Sequence, residues 1–205
     1  MDSTYLKITA SCVIADHKVC CNGEVVYKGD KTKSVPDFLT DVYTFLDPTY
    51  PKFYKMDLLA KLGWLGSEFL LNDHFDKAAY REEDTGIVLT NANSSLDTDQ
   101  RYFQTVSEYP SPSLFVYTLP NIVIGEICIR NKFRGENAFF VFEQFNPLFL
   151  EQYVGGLIRN KVIRNCICGW TEVLGNSYKS ALYLVQESAS GIDFRAGQME
   201  KIYGF

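Results

Sequence analysis

Much of what would give this chain an immediate chemistry is scarce or missing. A basic surplus is absent: 20 Lys and Arg stand against 25 Asp and Glu, a net charge of -5 and a pI near 5.1, so nothing grips a nucleic-acid backbone. Long apolar runs are absent too, so no segment approaches a membrane span, and the first residues lack the basic start and cleavage site of a signal peptide. A cytoplasmic protein is expected. No Pro/Gly/Ser-rich linker divides the 205 residues, which predicts one domain over 1–205. The six cysteines (Cys12, Cys20, Cys21, Cys128, Cys166 and Cys168) follow no structural zinc spacing, and in a reducing compartment they should be thiols. Cys20-Cys21 beside His17 is the one hint of a metal, but adjacent cysteines rarely satisfy a tetrahedral ion without further ligands. His74, in a polar loop with Asp73 and Asp76, has no second histidine near it and reads as a solvated side chain. No metal and no cofactor are expected.

What is present is an alternation of strand and helix patterns. Residues 4–14 and 24–28, rich in Ile, Val and Tyr, flank Asn22-Gly23 and predict an N-terminal hairpin. Pro36 opens a helix with Phe38, Leu39, Val42, Phe45 and Leu46 at helical spacing, ending before Pro48. A longer helix follows through Met56, Leu58, Leu59, Leu62, Leu65, Phe69 and Leu70; Gly63 and Gly66 weaken it, so their purpose is close packing. Ile87, Val88 and Leu89 form a short buried strand. Ser95 or Asp97 caps a helix to about Val106, and Tyr109-Pro110-Ser111-Pro112-Ser113 is a break. A helix from near Pro120 to about Lys132 turns Ile124, Ile127 and Cys128 inward. Residues 162–170 read as a core strand, with Cys166 and Cys168 on one face as small buried side chains rather than redox or metal ligands. Residues 181–186 make a last strand, and 188–205 give no clear pattern.

The stretch 137–172 organises the rest. Ala138, Phe139, Phe140, Val141 and Phe142 are an unbroken run of β-formers, which fits a strand buried on both faces. It stops at Glu143-Gln144-Phe145-Asn146-Pro147, where Asn146 suits a helix N-cap and Pro147 the first helical position. Gln144 therefore sits where a strand ends and a helix begins, a junction whose free N–H groups and dipole favour developing negative charge. The helix that follows, with Leu148, Phe149, Leu150, Tyr153, Val154, Leu157 and Ile158, is apolar nearly all round and belongs between layers.

Pro120-Asn121, Gly125, Arg134-Gly135-Glu136-Asn137, the Phe-rich strand, Gln144 and Cys168-Gly169-Trp170-Thr171-Glu172 fall in an ordered spacing, with Lys55-Met56-Asp57 upstream. The set resembles the first half of a β-ketoacyl synthase, a condensing enzyme of the thiolase fold, over most of residues 55–187. The resemblance implies an α/β thiolase-like half-fold: a mixed sheet flanked by helices, holding the strands at 86–90, 137–143, 162–170 and 181–186. It also implies that Gln144 stands where the family has its catalytic Cys, and that the helix after it lies in a central layer. After the strand at 87–89 the family has a Gly-rich loop. This chain has Thr90-Asn91-Ala92-Asn93-Ser94-Ser95 instead, a departure from the family close to where it has its active site.

Condensation in such enzymes needs a thiolate and two basic side chains, usually histidines from the second half. Gln144 cannot form a thioester, and His17 and His74 both precede the strand leading to it. Chain-length factors and certain decarboxylating loading domains carry Gln at this place. Its amide can hydrogen-bond an acyl carbonyl; the plain alternative is that it caps the helix or fills space. Gln144, Phe145 and Asn146 are the acyl-site candidates. The resemblance implies a non-catalytic partner of a full-length β-ketoacyl synthase in fatty-acid, polyketide or polyene-type biosynthesis, with acyl carrier protein a further partner. An acyltransferase or malonyl decarboxylase completed by a partner's histidines, and a homodimeric interaction protein, are the alternatives. The expected interface is Ala138, Phe139, Phe140, Val141 and Phe142 with Phe149 and Tyr153, because in the family this strand pairs antiparallel with its copy across a dimer axis.

Overall fold

The N-terminus folds as a three-stranded meander, not as one hairpin. In the computed structural model, which describes residues 6–72 and 74–205, β1 (Leu6–Ala15), β2 (Lys18–Cys21) and β3 (Glu24–Lys28) run antiparallel in that order. The expected Asn22-Gly23 turn is present, but it joins β2 to β3. A second turn at Asp16 and His17, both left-handed (φ 48° and 55°), joins β1 to β2. Residues 4 and 5 of the expected first strand, and Asp73 beside His74, lie outside the described residues.

Five more strands complete one mixed sheet: β4 (Thr85–Asn91), β5 (Asn137–Val141), β6 (Asn165–Leu174), β7 (Ser177–Glu187) and β8 (Ile192–Asp193). The order is β3-β2-β1-β7-β6-β4-β5, with β8 added along β1. β4 runs parallel to both β5 and β6, while the remaining pairs are antiparallel. All four strands expected to share a sheet do so. Their ends differ: β5 stops at Val141, β6 starts only at Asn165, and β7 starts four residues early because Gly175, at φ 59°, turns β6 into it as a hairpin.

Helices cover both faces. α1 (Val35–Leu46) is capped by Ser34, whose hydroxyl accepts from the Asp37 N–H, and α2 (Leu58–Leu71) by Asp57, whose carboxylate accepts from the Ala60 N–H. Both helices and α5 (Ile122–Asn131) pack on one face, in a core that includes Phe38, Trp64, Leu65, Ile127 and Ile167. The two α2 glycines serve contact as expected: a Cβ on Gly63 would lie 2.4 Å from Val123, and one on Gly66 3.0 Å from Leu182. Between β4 and α5 lie α3 (Leu96–Val106) and α4 (Pro112–Val116), the latter starting inside the expected break at 109–113 and running three residues past it. The opposite face carries α6 (Pro147–Arg159) and α7 (Ala196–Tyr203), around Val88, Leu150, Val154, Cys166, Cys168, Tyr183 and Met199. Residues 188–205 thus hold β8 and α7, tied down by Tyr183, whose hydroxyl donates to the Met199 carbonyl at 2.9 Å.

Two expectations about burial are corrected. The Phe-rich strand is not buried on both faces: β5 is the sheet edge, and its residues are half-buried or exposed. Nor does α6 lie between two layers. Leu150, Val154 and Ile158 face the sheet, each burial worth roughly 1.5–3 kcal/mol, while Leu148 is 56% exposed. Among the described residues nothing covers the far side of the helix.

Candidate functional site

Because β4, β5 and β6 are parallel, their carboxyl ends open at one end of the sheet, and three connections meet there. Behind β4, Asn91 holds the loop that replaces the expected Gly-rich one. Its side-chain Oδ1 accepts from Ser94 N–H at 2.9 Å and its side-chain amide Nδ2 donates to the Ser94 carbonyl at 2.8 Å, with Ser94 at φ 53°. Glu172 on β6 braces the same loop, accepting from the N–H groups of Ala92 (2.6 Å) and Asn93 (3.0 Å). Asn91 O in turn accepts from Phe142 N–H at 2.9 Å, which fixes where β5 gives way to the turn 142–146.

In that turn the three candidate residues separate in role. Asn146 is the N-cap of α6: its side-chain oxygen accepts from Phe149 N–H at 3.0 Å, and Pro147 follows at the first helical position. Phe145 turns inward and stacks on Tyr203 of α7 (centroids 4.4 Å, planes 14° apart), with the edges of Trp170 at 6.2 Å. Gln144 is exposed on the wall of a surface hollow of about 410 Å³ lined by residues 142–148 and Glu200. The capping alternative for Gln144 is thereby removed, since Asn146 does that work. None of the described residues lining the hollow carries a thiol, hydroxyl or imidazole. His17 packs between Phe38 and Tyr178 and shares a 3.0 Å hydrogen bond with the Lys33 carbonyl, while His74 pairs with Asn22 at 3.1 Å. Neither histidine lines the hollow.

The interface candidates divide between the two sides of β5. Phe140 and Phe142 meet Phe149 (both 4.8 Å), Phe140 meets Tyr153 (5.1 Å), and Phe149 lies along Tyr153 (5.4 Å), so a half-buried aromatic row joins the edge strand to α6. Phe139 points to the opposite face and packs on the α2 core, while Ala138 is half-buried and Val141 is 52% exposed. Sequence reasoning missed two parts of this end of the molecule. One is the backing of Phe145 by Tyr203, in a tail without clear pattern. The other is a set of exposed apolar side chains on α3 and α4, Phe103 (77% exposed), Val106, Phe115 and Val116. Their signal was available as apolar residues on short helices with no place in the core.

Cys166 and Cys168 are fully buried toward α6, as expected for small core side chains, and burial pushes the Cys168 thiol well up.

No protein-family model and no curated protein sequence matches the chain. Solved structures do. The ishigamide ketosynthase/chain length factor superposes at a TM-score of 0.65 with 16% identity, over 92% of this chain and 64% of that one. The chain has the ketosynthase fold. A type II polyketide-synthase acyl carrier protein in complex with its ketosynthase bound to the hexaketide matches at 0.62 with 13% identity, over 90% and 63% of the two chains. The ketosynthase ApeO in complex with its chain length factor ApeC from Xenorhabdus doucetiae matches at 0.60 with 13% identity, over 98% and 90%. This chain therefore spans just under two thirds of the matched chain in the first two structures and nine tenths of it in the third. The mixed sheet and its flanking helices are those of thiolase-fold ketosynthases, and no described helix is long and apolar enough to cross a membrane.

Proposed function

We propose that this chain is a non-catalytic ketosynthase-like subunit that pairs with a full-length condensing enzyme in fatty-acid, polyketide or polyene-type biosynthesis, after the manner of a chain-length factor. The observation that carries the reading is Gln144. A neutral amide stands at the strand-to-helix turn of a ketosynthase fold, exposed in a hollow whose described lining offers no thiol to take up an acyl group as a thioester. In this proposal residues 1–205 form one N-terminal-like domain, and the thiolate and basic residues come from the partner. The uncovered edge of β5 and the aromatic row beside it supply the contact: an added strand would satisfy the free backbone groups of β5, and Phe140, Phe149 and Tyr153 would lose their remaining exposure. Gln144 then lies beside the partner's acyl pocket, where its amide donates to an acyl carbonyl, and acyl carrier protein reaches the pair rather than this chain alone. A cytoplasmic setting belongs to the same proposal.

The test is co-expression with a Cys-bearing β-ketoacyl synthase encoded beside it. A 1:1 complex by light scattering is expected, with condensation of carrier-protein-bound acyl groups requiring both chains. A stable monomer, both alone and mixed with that synthase, overturns the reading. A homodimer inert to both synthase and carrier protein points instead to an interaction protein.

A further inference from the structure

Far from β5, on the α2 side of the sheet, Cys12 of β1 and Cys21 of β2 are directly opposed partners in the antiparallel register. Their neighbours Ser11 and Asn22 form the hydrogen-bonded type of pair, because Asn22 N–H donates to Ser11 O at 2.9 Å. Bonding alternates along an antiparallel ladder, so Cys12 and Cys21 occupy the non-bonded type of site, where Cα atoms approach to about 4.5 Å. That separation lies within the roughly 4.4–6.8 Å span of disulfides. We propose that Cys12 and Cys21 are an oxidative modification site, a dithiol that a hydroperoxide converts to a cross-strand disulfide and a small thiol reduces again.

The two thiols differ as such a pair requires. Cys21 is half-buried at the edge of the α2 core, whereas Cys12 is fully buried. The Cys12 S–H donates to the Cys21 sulfur, which holds the Cys21 thiol below its ordinary value. The same hydrogen bond, with burial, pushes Cys12 well up. Cys21 is thus the sulfur that meets the oxidant. Its thiolate attacks a peroxide oxygen, the O–O bond breaks, and the departing hydroxide takes the proton that Cys21 gave up, leaving water and a sulfenic acid. The Cys12 sulfur then attacks the Cys21 sulfur, the S–O bond breaks, and hydroxide leaves as water with the Cys12 proton. Two thiols and one hydrogen peroxide become one disulfide and two waters. No other cysteine fits the role. Cys20 points to the opposite face of the sheet, Cys166 and Cys168 are sealed under α6, and Cys128 sits on α5.

The experiment treats the full reduced chain with hydrogen peroxide, blocks free thiols, unfolds the protein and digests it with trypsin. Peptides 8–18 and 19–28 are expected as one joined species, missing two hydrogens and separated by dithiothreitol. Because Cys20 shares the second peptide, Cys20→Ser is expected to keep the joined species and Cys21→Ser to abolish it. Far-UV circular dichroism checks that each variant folds; Cys21 is the half-buried partner, so its replacement spares the core. Survival of the joined species in Cys21→Ser overturns the assignment. So does over-oxidation of Cys21 with no joined species in the unmodified protein.

Discussion

Asn146 and Gln144 are two residues apart and do different work. The Asn146 carboxamide closes the first turn of α6, so Asn146→Ala should cost about 1 kcal/mol in urea unfolding. Gln144 is exposed and no cap, and Gln144→Ala should stay within about 0.5 kcal/mol of the parent. A larger loss for Gln144 would mean that the amide is structural and would remove the argument for an acyl-facing role. Gln144→Cys is expected to leave condensation absent from the isolated chain, because neither His17 nor His74 lines the hollow; intact mass after incubation with malonyl- and acyl-carrier protein reads this. Gly169 is another position where one atom decides. At φ 149° its absent Cβ would lie 2.0 Å from the Ala181 carbonyl oxygen, so Gly169→Ala should destabilise by about 2 kcal/mol or more, visible as a lower urea midpoint.

Among the elements, β5 was the most misleading to read. Five consecutive apolar β-formers look the same whether neighbouring strands or another chain's surface will cover them, and periodicity carries no information on which. The flanking chemistry was legible: Asn146-Pro147 marked the start of α6 and Gly63/Gly66 the close approach of α2, because caps and small residues act within a few positions. The end of β4 shows the limit, since the loop 92–95 is set by Glu172, eighty residues away. If β5 is the contact, Phe140→Lys should turn the complex into monomers in light scattering without unfolding the chain, because Phe140 is only half-buried. The loop entering β4 has its own signature. The Arg81 guanidinium, with its backbone N–H and the Arg164 charge, holds the Asp84 carboxyl below its usual 3.8. A depressed folded value contributes stability in full above the unfolded value and loses it as pH falls through the folded one. Urea midpoints of Asp84→Asn should accordingly converge with those of the parent as pH falls below about 4.

Across the whole molecule, the sheet and its helices followed from local patterns, yet the order of its strands did not. β1 is the first strand in the chain but an interior one in the sheet, pairing Leu6 with Glu187 and Ile14 with Ser180. On a ribosome adding roughly 5–20 residues per second, β1 emerges on the order of ten seconds before β7 exists to receive it. During that interval it has only the meander with β2 and β3, and its other edge stands open. Such long-range closure predicts refolding in the millisecond-to-second range rather than in microseconds. It also makes the nascent chain, more than the finished one, the form that depends on a chaperone: release of chains truncated before residue 177 should yield aggregates, whereas release after residue 205, with β7 paired to β1 and α7 seated over the core, should yield soluble protein.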